Sequence, residues 1–145
     1  MIYIGIDPGA KGAMAVIQDS DVAVIPFKSE DYIRYLEDIK HNYPCVCCIE
    51  EVHSMPKQGV SSTFALGRSY GWLLGMLDTI GIPYQITKPQ TWKKEFGLNS
   101  DKAKSIEVCK RLFPGVNLLR TERSRKEDDN LAEALLMATY AKRHF

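Results

Sequence analysis

Three short β-rich runs fall within the first 26 residues, and the gaps between them are too short to hold a helix. Ile2-Tyr3-Ile4-Gly5-Ile6-Asp7 is ended by Pro8-Gly9. Gly12-Ala13-Met14-Ala15-Val16-Ile17 follows, and then a turn-like Asp19-Ser20-Asp21. Val22-Ala23-Val24-Ile25-Pro26 is the third run, stopped by its proline. Parallel neighbours need a crossover of about a dozen residues or more, so this spacing predicts a three-stranded antiparallel meander. The rest of the chain has to be built onto that sheet.

The pattern then changes period. Ser29 reads as a helix N-cap with Asp31 in the first turn, and Tyr32, Leu36 and Ile39 mark one helical face. That helix should end near Asn42, before Pro44. Cys45-Val46-Cys47-Cys48-Ile49 is continuously apolar, as a strand buried on both faces is, and it delivers Glu50-Glu51 at its end. Residues 52–61 form a loop, and a long helix is expected over 62–80. Gly67, Gly71 and Gly75 recur along it every four residues. Glycine weakens a helix, so the stripe should admit another backbone. The chain's own sheet is the expected partner, a second subunit the other. Gly81 caps the helix, and Ile82–Thr87 is a fifth strand. Pro89 opens a short helix holding Trp92-Lys93-Lys94. Ser100 caps another over about 101–112, closed by Pro114. A basic connector spans 115–126, and the last helix runs from about 127 to 143. The order β-β-β-α-β-α-β-α predicts an α/β fold, a mixed five-stranded sheet whose first three strands are antiparallel, flanked by helices.

The chain has 145 residues, 45% of them hydrophobic and 26% charged, which fits one globular domain over 1–145. The longest apolar patch, Trp72–Leu77, is cut off by Asp78, so no membrane partner is expected. The N-terminus lacks a basic start and a small-residue cleavage site. A soluble, cytoplasmic protein is expected. Cys45, Cys47, Cys48 and Cys109 fit that compartment as reduced, apolar side chains. Cys45 and Cys48 form a C-x-x-C, but no second Cys/His pair follows at zinc spacing.

Charge is unevenly placed. Residues 86–126 carry 11 basic and 4 acidic groups, net +7, between a segment of net −4 and one of net −2. A basic block between acidic regions suits a chain that holds a polyanion over an acidic centre. The acids fall at telling places. Asp7 and Glu50 each close a strand, and strands one and four of this topology are natural neighbours. In the last helix Asp129 and Glu133 are four apart, on one face, where like charges repel. Alone, Asp7 reads as a turn cap, Glu50 as an exposed acid at a strand terminus, and Asp129 and Glu133 as a solvated helix start. Together they surround a space that a hard cation would neutralise; without one, some of their pKa values should rise. Magnesium or manganese suits such oxygens. Two ions roughly 4 Å apart would activate a water and stabilise the leaving oxygen of a phosphodiester. Metal-dependent phosphodiester hydrolysis is the chemistry these residues point to.

At this point the residues bring a family into view. The sequence resembles the RuvC-type Holliday-junction resolvases, members of the ribonuclease-H-like nuclease superfamily. It looks closest to the short RuvC-like proteins of phages and prokaryotic genomes. The resemblance rests on Ile4-Gly5-Ile6-Asp7-Pro8-Gly9, Ile49-Glu50-Glu51-Val52-His53 and Leu66-Gly67-Arg68-Ser69-Tyr70-Gly71. It continues through Pro89-Gln90-Thr91-Trp92-Lys93-Lys94 and Asp101-Lys102, and closes with Ala132–Ala138. It implies a ribonuclease-H-like fold, a homodimer, a four-way DNA junction as substrate and paired symmetric nicking with two Mg²⁺ ions, Mn²⁺ substituting. Asp7, Glu50, Asp129 and Glu133 would hold the metal, with Glu51 facing away. Many members have Asp or His three residues before the last acid; Asn130 stands there in this chain, with Asp129 one earlier, so Asn130 is the alternative fourth ligand. Lys93 would be catalytic beside the scissile phosphate, and Lys102 would hold backbone. Lys94, Lys104, Arg68, Arg123 and Arg125 complete the expected DNA-binding set. His53 and Met55 match positions that probe the opened junction centre. No nucleotide cofactor is implied. The source would be a bacterial cell, or a host cytoplasm for a phage protein.

The residues leave rivals open. A ribonuclease-H-like nuclease could act on other branched DNA, RNA–DNA hybrids or structured RNA through the same acids. An inactive junction-binding protein is a second alternative. An actin-like ATPase needs two domains and a second phosphate loop, for which this chain has neither the length nor the motif.

Overall fold

A computed structural model describes residues 1–145. β1 (Ile2–Asp7), β2 (Ala13–Gln18) and β3 (Asp21–Pro26) form the expected antiparallel meander. After α1 (Ser29–Asn42) the chain enters β4 (Cys45–Glu50), which pairs parallel with β1. After α2 (Val60–Ile80) it enters β5 (Tyr84–Thr87), parallel with β4. The five strands lie in the order β3-β2-β1-β4-β5. α3 (Pro89–Glu95), α4 (Lys102–Leu112) and α5 (Asp129–His144) follow.

Strand alternation divides the core. Ile2, Ile4 and Ile6 of β1 and Cys45, Cys47 and Ile49 of β4 face α1 and α2, meeting Tyr32, Leu36, Leu73 and Leu77. The opposite face meets α5, α4 and α3, with Cys48, Trp92, Cys109, Leu131 and Leu135 buried there. α5 is buried nearly all round from Leu131 to Thr139, with Glu133 the half-buried acid in that run. The four cysteines are free and buried, as expected. No helix is long and apolar enough to cross a membrane.

The close backbone approach lies elsewhere than the glycine stripe suggested. A Cβ placed on Gly67, Gly71 or Gly75 would meet nothing within 4 Å, so the chain's own sheet does not use the stripe. The tight contact is at Gly5 in β1. A Cβ there would lie 2.2 Å from the Ala134 carbonyl oxygen and 2.3 Å from the Ala138 backbone nitrogen. Gly5, Ala134 and Ala138 bring α5 directly onto the central strand. The stripe is instead exposed on α2, beside the exposed Val60, Phe64 and Trp72.

Helix starts differ from expectation by one or two residues, each for a local reason. Tyr32 N–H bonds the Lys28 carbonyl at 3.0 Å, so Ser29 lies inside α1 rather than capping it. Asp101 rather than Ser100 caps α4, accepting from Ala103 N–H at 3.0 Å. Asp128 caps α5, its Oδ1 accepting from Asn130 N–H at 2.8 Å and Leu131 N–H at 3.3 Å. Glu127 therefore lies outside the helix, paired with Lys110 at 2.9 Å. α2 begins at Val60, two residues early. Ile82 N–H bonds back to the Leu77 carbonyl after the left-handed Gly81, which delays β5 to Tyr84.

Candidate active site

Two strand ends and one helix build the site. The last paired residues of β1 and β4 are Ile6 and Ile49, so Asp7 and Glu50 follow side by side. Both have the parity of Gly5 and Cys48, the residues that face α5. The Gly5 contact seats Ala134 on β1, and the neighbouring Glu133 comes with it. Residues separated by 126 positions thereby share one corner of the sheet.

The electrostatics of that corner are those of acids that feel one another's charge. Asp7 is 7% exposed, and its Oδ2 is buried with no hydrogen-bond partner. Burial first, then the charges of Glu133, Glu50 and Asp129, push its carboxyl well above the ordinary range, against a smaller opposing pull from Lys93. Glu50 is raised by burial, opposed by the Trp92 hydrogen bond and by Lys93. Glu133 is raised by burial, opposed by Lys93 and Lys102 and reinforced by Glu50 and Asp129. No three His, Cys, Asp or Glu side chains stand close enough to form a closed ligand cage. Like charges with only Lys93 and the more distant Lys102 to offset them stand apart. An orphaned buried carboxylate oxygen within reach of the charges of three further acids fits a hard divalent cation, and the donor set is all oxygen.

α3 and α4 hold two of these acids. The fully buried Trp92 donates its indole N–H to Glu50 Oε2 at 2.9 Å. The next residue, Lys93, places its ammonium 3.7 Å from Glu133 Oε1. Ser105 of α4, also buried, donates to the same Glu133 oxygen at 3.5 Å. α3 is braced on the end of α5: Glu95 pairs with Arg143 at 3.2 Å and with His144.

The start of α5 is fixed by Arg120. Its Nε donates to Asp128 Oδ2 at 2.9 Å, and its guanidinium also donates to the carbonyls of Lys11 and Gly12, in the turn after Asp7. Burial works against the Asp128 carboxylate, but the Arg120 bond and charge outweigh it and lower its pKa. Asp128 is thus a structural cap, and Asp129 is left as the acid whose charge reaches Asp7 and Glu133. Asn130 is half-buried beside it.

The remaining expected residues scatter around this corner. Lys93 and Lys94 line an open groove with Gln90, Asn99 and Ser100. Lys102 is exposed at the first turn of α4 and Lys104 is half-buried one step on; Arg123 and Arg125 are exposed in the connector. Arg68 stands apart on α2, lining a hollow with Phe27, Phe64 and Trp72. Glu51 acts on Tyr70 and is not among the charges on Asp7, in keeping with its opposite parity. His53 and Met55 are exposed in the loop between β4 and α2. Sequence reading assigned no role to Trp92, Ser105, Arg120 or Asp128. The adjacency of Trp92 to Lys93 was the one available signal.

A mixed sheet with an antiparallel meander, helices on both faces and acids at the ends of its two central strands is a ribonuclease-H-like α/β fold. Within that class the fold is RuvC's. The chain superposes on Thermus thermophilus RuvC in complex with a Holliday junction substrate with a TM-score of 0.64 and 16% identity, over 99% of this chain and 96% of that one. A second Thermus thermophilus RuvC structure gives a TM-score of 0.55 and 15% identity over the same shares. No protein-family model and no curated protein matches the chain.

Proposed function

We propose that this protein is a divalent-metal-dependent, structure-specific endonuclease that resolves four-way DNA junctions by paired nicking. The observation that carries the reading is Asp7: a buried carboxylate, one oxygen without a partner, under the combined charge of Glu133, Glu50 and Asp129. Its place on a fold shared with RuvC supports the junction as substrate.

Asp7, Glu50, Glu133 and Asp129 would hold Mg²⁺ or Mn²⁺, two ions in all. Such ions supply an activated water and charge stabilisation for the leaving oxygen of a phosphodiester. The chain's own residues do the rest. Lys93 sits 3.7 Å from Glu133 Oε1, and with cations neutralising the acids its ammonium would turn to a phosphate oxygen of the substrate. Lys94 and Lys102, with Lys104, Arg123 and Arg125, extend positive charge away from the cluster along which a DNA backbone would run. Arg68, on α2, would bind DNA apart from that track.

Paired nicking needs two sites in one particle, and a homodimer supplies them. The outer face of α2 supports that assembly. Val60 is 88% exposed and Phe64 72%, and the glycine stripe beside them has room for another backbone. Such a protein would work in the cytoplasm, where its DNA lies.

A synthetic four-way junction tests the reading. With Mg²⁺ or Mn²⁺ the protein should yield paired nicked duplexes, and Asp7→Asn should bind the junction without cutting it. Wild-type cleavage by Asp7→Asn would refute the role of the acid cluster. A protein that ignores junctions but cuts RNA–DNA hybrids would belong to the broader ribonuclease-H-like reading instead.

A further inference from the structure

Glu50 is a single carboxylate on the last residue of a strand, with a flexible side chain of its own. A metal ligand of that kind is useful only when one rotamer is held, and the holding group is usually a hydrogen-bond donor behind it. Here the donor is an indole. Trp92 lies 42 residues further along the chain, is fully buried in the α5-side core, and donates Nε1–H to Glu50 Oε2 at 2.9 Å. Glu50 Oε1 has no hydrogen bond and is left as the oxygen free to meet a cation.

The indole cannot turn away. Its ring packs edge-on to Phe96 at 6.5 Å, the Lys93 ammonium lies 5.5 Å from its centroid, and α3 is pinned to α5 through Glu95. A buried Trp N–H is costly without a partner, and Glu50 is the partner this one has. The two groups therefore fix one another.

We propose that Trp92 is a positioning residue of the nuclease site, holding Glu50 Oε2 so that Oε1 is presented to the divalent cation. This rests on the metal-dependent reading above. It assigns the motif tryptophan a task distinct from core packing, and it makes α3 an element that serves two acids: Trp92 serves Glu50, and Lys93 serves Glu133.

The test is Trp92→Phe, which keeps an aromatic ring and removes the N–H. A second variant carries benzothienylalanine at position 92, where sulfur replaces N–H at nearly unchanged shape. Free Mn²⁺ is measured by electron paramagnetic resonance with protein and no DNA, alongside thermal unfolding in chelator. Mn²⁺ affinity should fall by about tenfold in both variants, the lower end of what loss of a ligand's supporting hydrogen bond costs. Cleavage should demand correspondingly more Mn²⁺ and recover toward the wild-type rate at saturation. A purely packing role would lower the unfolding temperature of Trp92→Phe and leave Mn²⁺ affinity untouched in the shape-matched variant; that result overturns the inference. Wild-type protein that takes up no Mn²⁺ overturns the metal-dependent reading and this inference with it. Wild type and both variants taking up Mn²⁺ equally overturns this inference alone.

Discussion

Gly5→Ala should damage stability and cleavage together, because one contact sets both. The added Cβ would lie 2.2 Å from the Ala134 carbonyl oxygen and 2.3 Å from the Ala138 nitrogen. Nonbonded atoms rest at about 3.5 Å or more, so α5 would have to retreat from β1 by roughly 1 Å. Both opposing groups are backbone, and no side chain can rotate aside. Overpacking a core costs about 1–3 kcal/mol, and a backbone-on-backbone clash belongs at about 3 kcal/mol. Alanine returns about 0.4–1 kcal/mol by restricting the unfolded chain. The net loss is about 2 kcal/mol, or roughly 5 °C in Tm for a chain of this size. Gly5 is two residues from Asp7, and Ala134 follows Glu133, so the same retreat opens the acid cluster. A displacement of about 1 Å in a catalytic group can cost on the order of 10²-fold in rate. Circular dichroism melting and a junction-cleavage time course read the two effects. A Gly5→Ala protein that melts within about 1 °C of wild type and cuts at an unchanged rate would refute the claim that this contact seats Glu133.

The exposed glycines should behave in the opposite sense. Gly71→Ala meets nothing within 4 Å, so the isolated chain should gain up to about 1 kcal/mol from helix propensity. If α2 is the dimer face, the same change should weaken dimerisation in sedimentation runs; an unchanged dimer would place the interface elsewhere. The acid cluster sets an unusual pH response in chelator. Asp7, Glu50 and Glu133 all have raised folded-state pKa values, so between those values and the ordinary carboxylate range the folded chain binds more protons than the unfolded one. Their contribution to stability should therefore improve as pH falls through the raised values, levelling off near the ordinary carboxylate range of about 4. Asp128, lowered on folding, works the other way and only at more acidic pH. Asp7→Asn should melt above wild type at neutral pH in chelator, and the gap should close on acidification. A gap that does not change with pH would contradict the buried-charge account.

Much of the fold was legible because its signals are local. Branched runs ended by Pro8-Gly9 and Pro26 define strands with no reference to the rest of the chain. Pro8-Gly9 marks Asp7 as a strand-end acid, and Glu50 is marked by the point where the apolar run Cys45–Ile49 gives way to two acids. Helix starts were harder. Ser100 and Asp101 are adjacent cappers with equal claims on sequence, and the choice falls to whichever oxygen reaches an orphan N–H. The acid run 127–129 hid the same choice, resolved by an arginine eight residues upstream of Asp128.

The glycine stripe shows where local reading stops. Small residues at helical spacing say that something can approach, and nothing in the spacing says what. In this chain the approach inside the monomer is made by a glycine on a strand and two alanines on a helix more than 125 residues away. Alanine is a good helix former and gives no signal of contact; glycine in a strand looks only like a weak strand. Trp92 and Glu50 pose the same problem in polar form, since each reads separately as a core aromatic and an exposed acid. What joins all of them is α5. It must lie tight on β1 to bring Glu133 to Asp7, and a tight backbone contact leaves no room for side chains that would otherwise fix the acids. The fixing is therefore done from outside the contact, by Trp92, Lys93 and Ser105 on α3 and α4 and by Arg120 in the connector. Close packing at the centre and supporting hydrogen bonds at the rim are two consequences of one geometric demand, that acids from three distant parts of the sequence meet at one corner of the sheet.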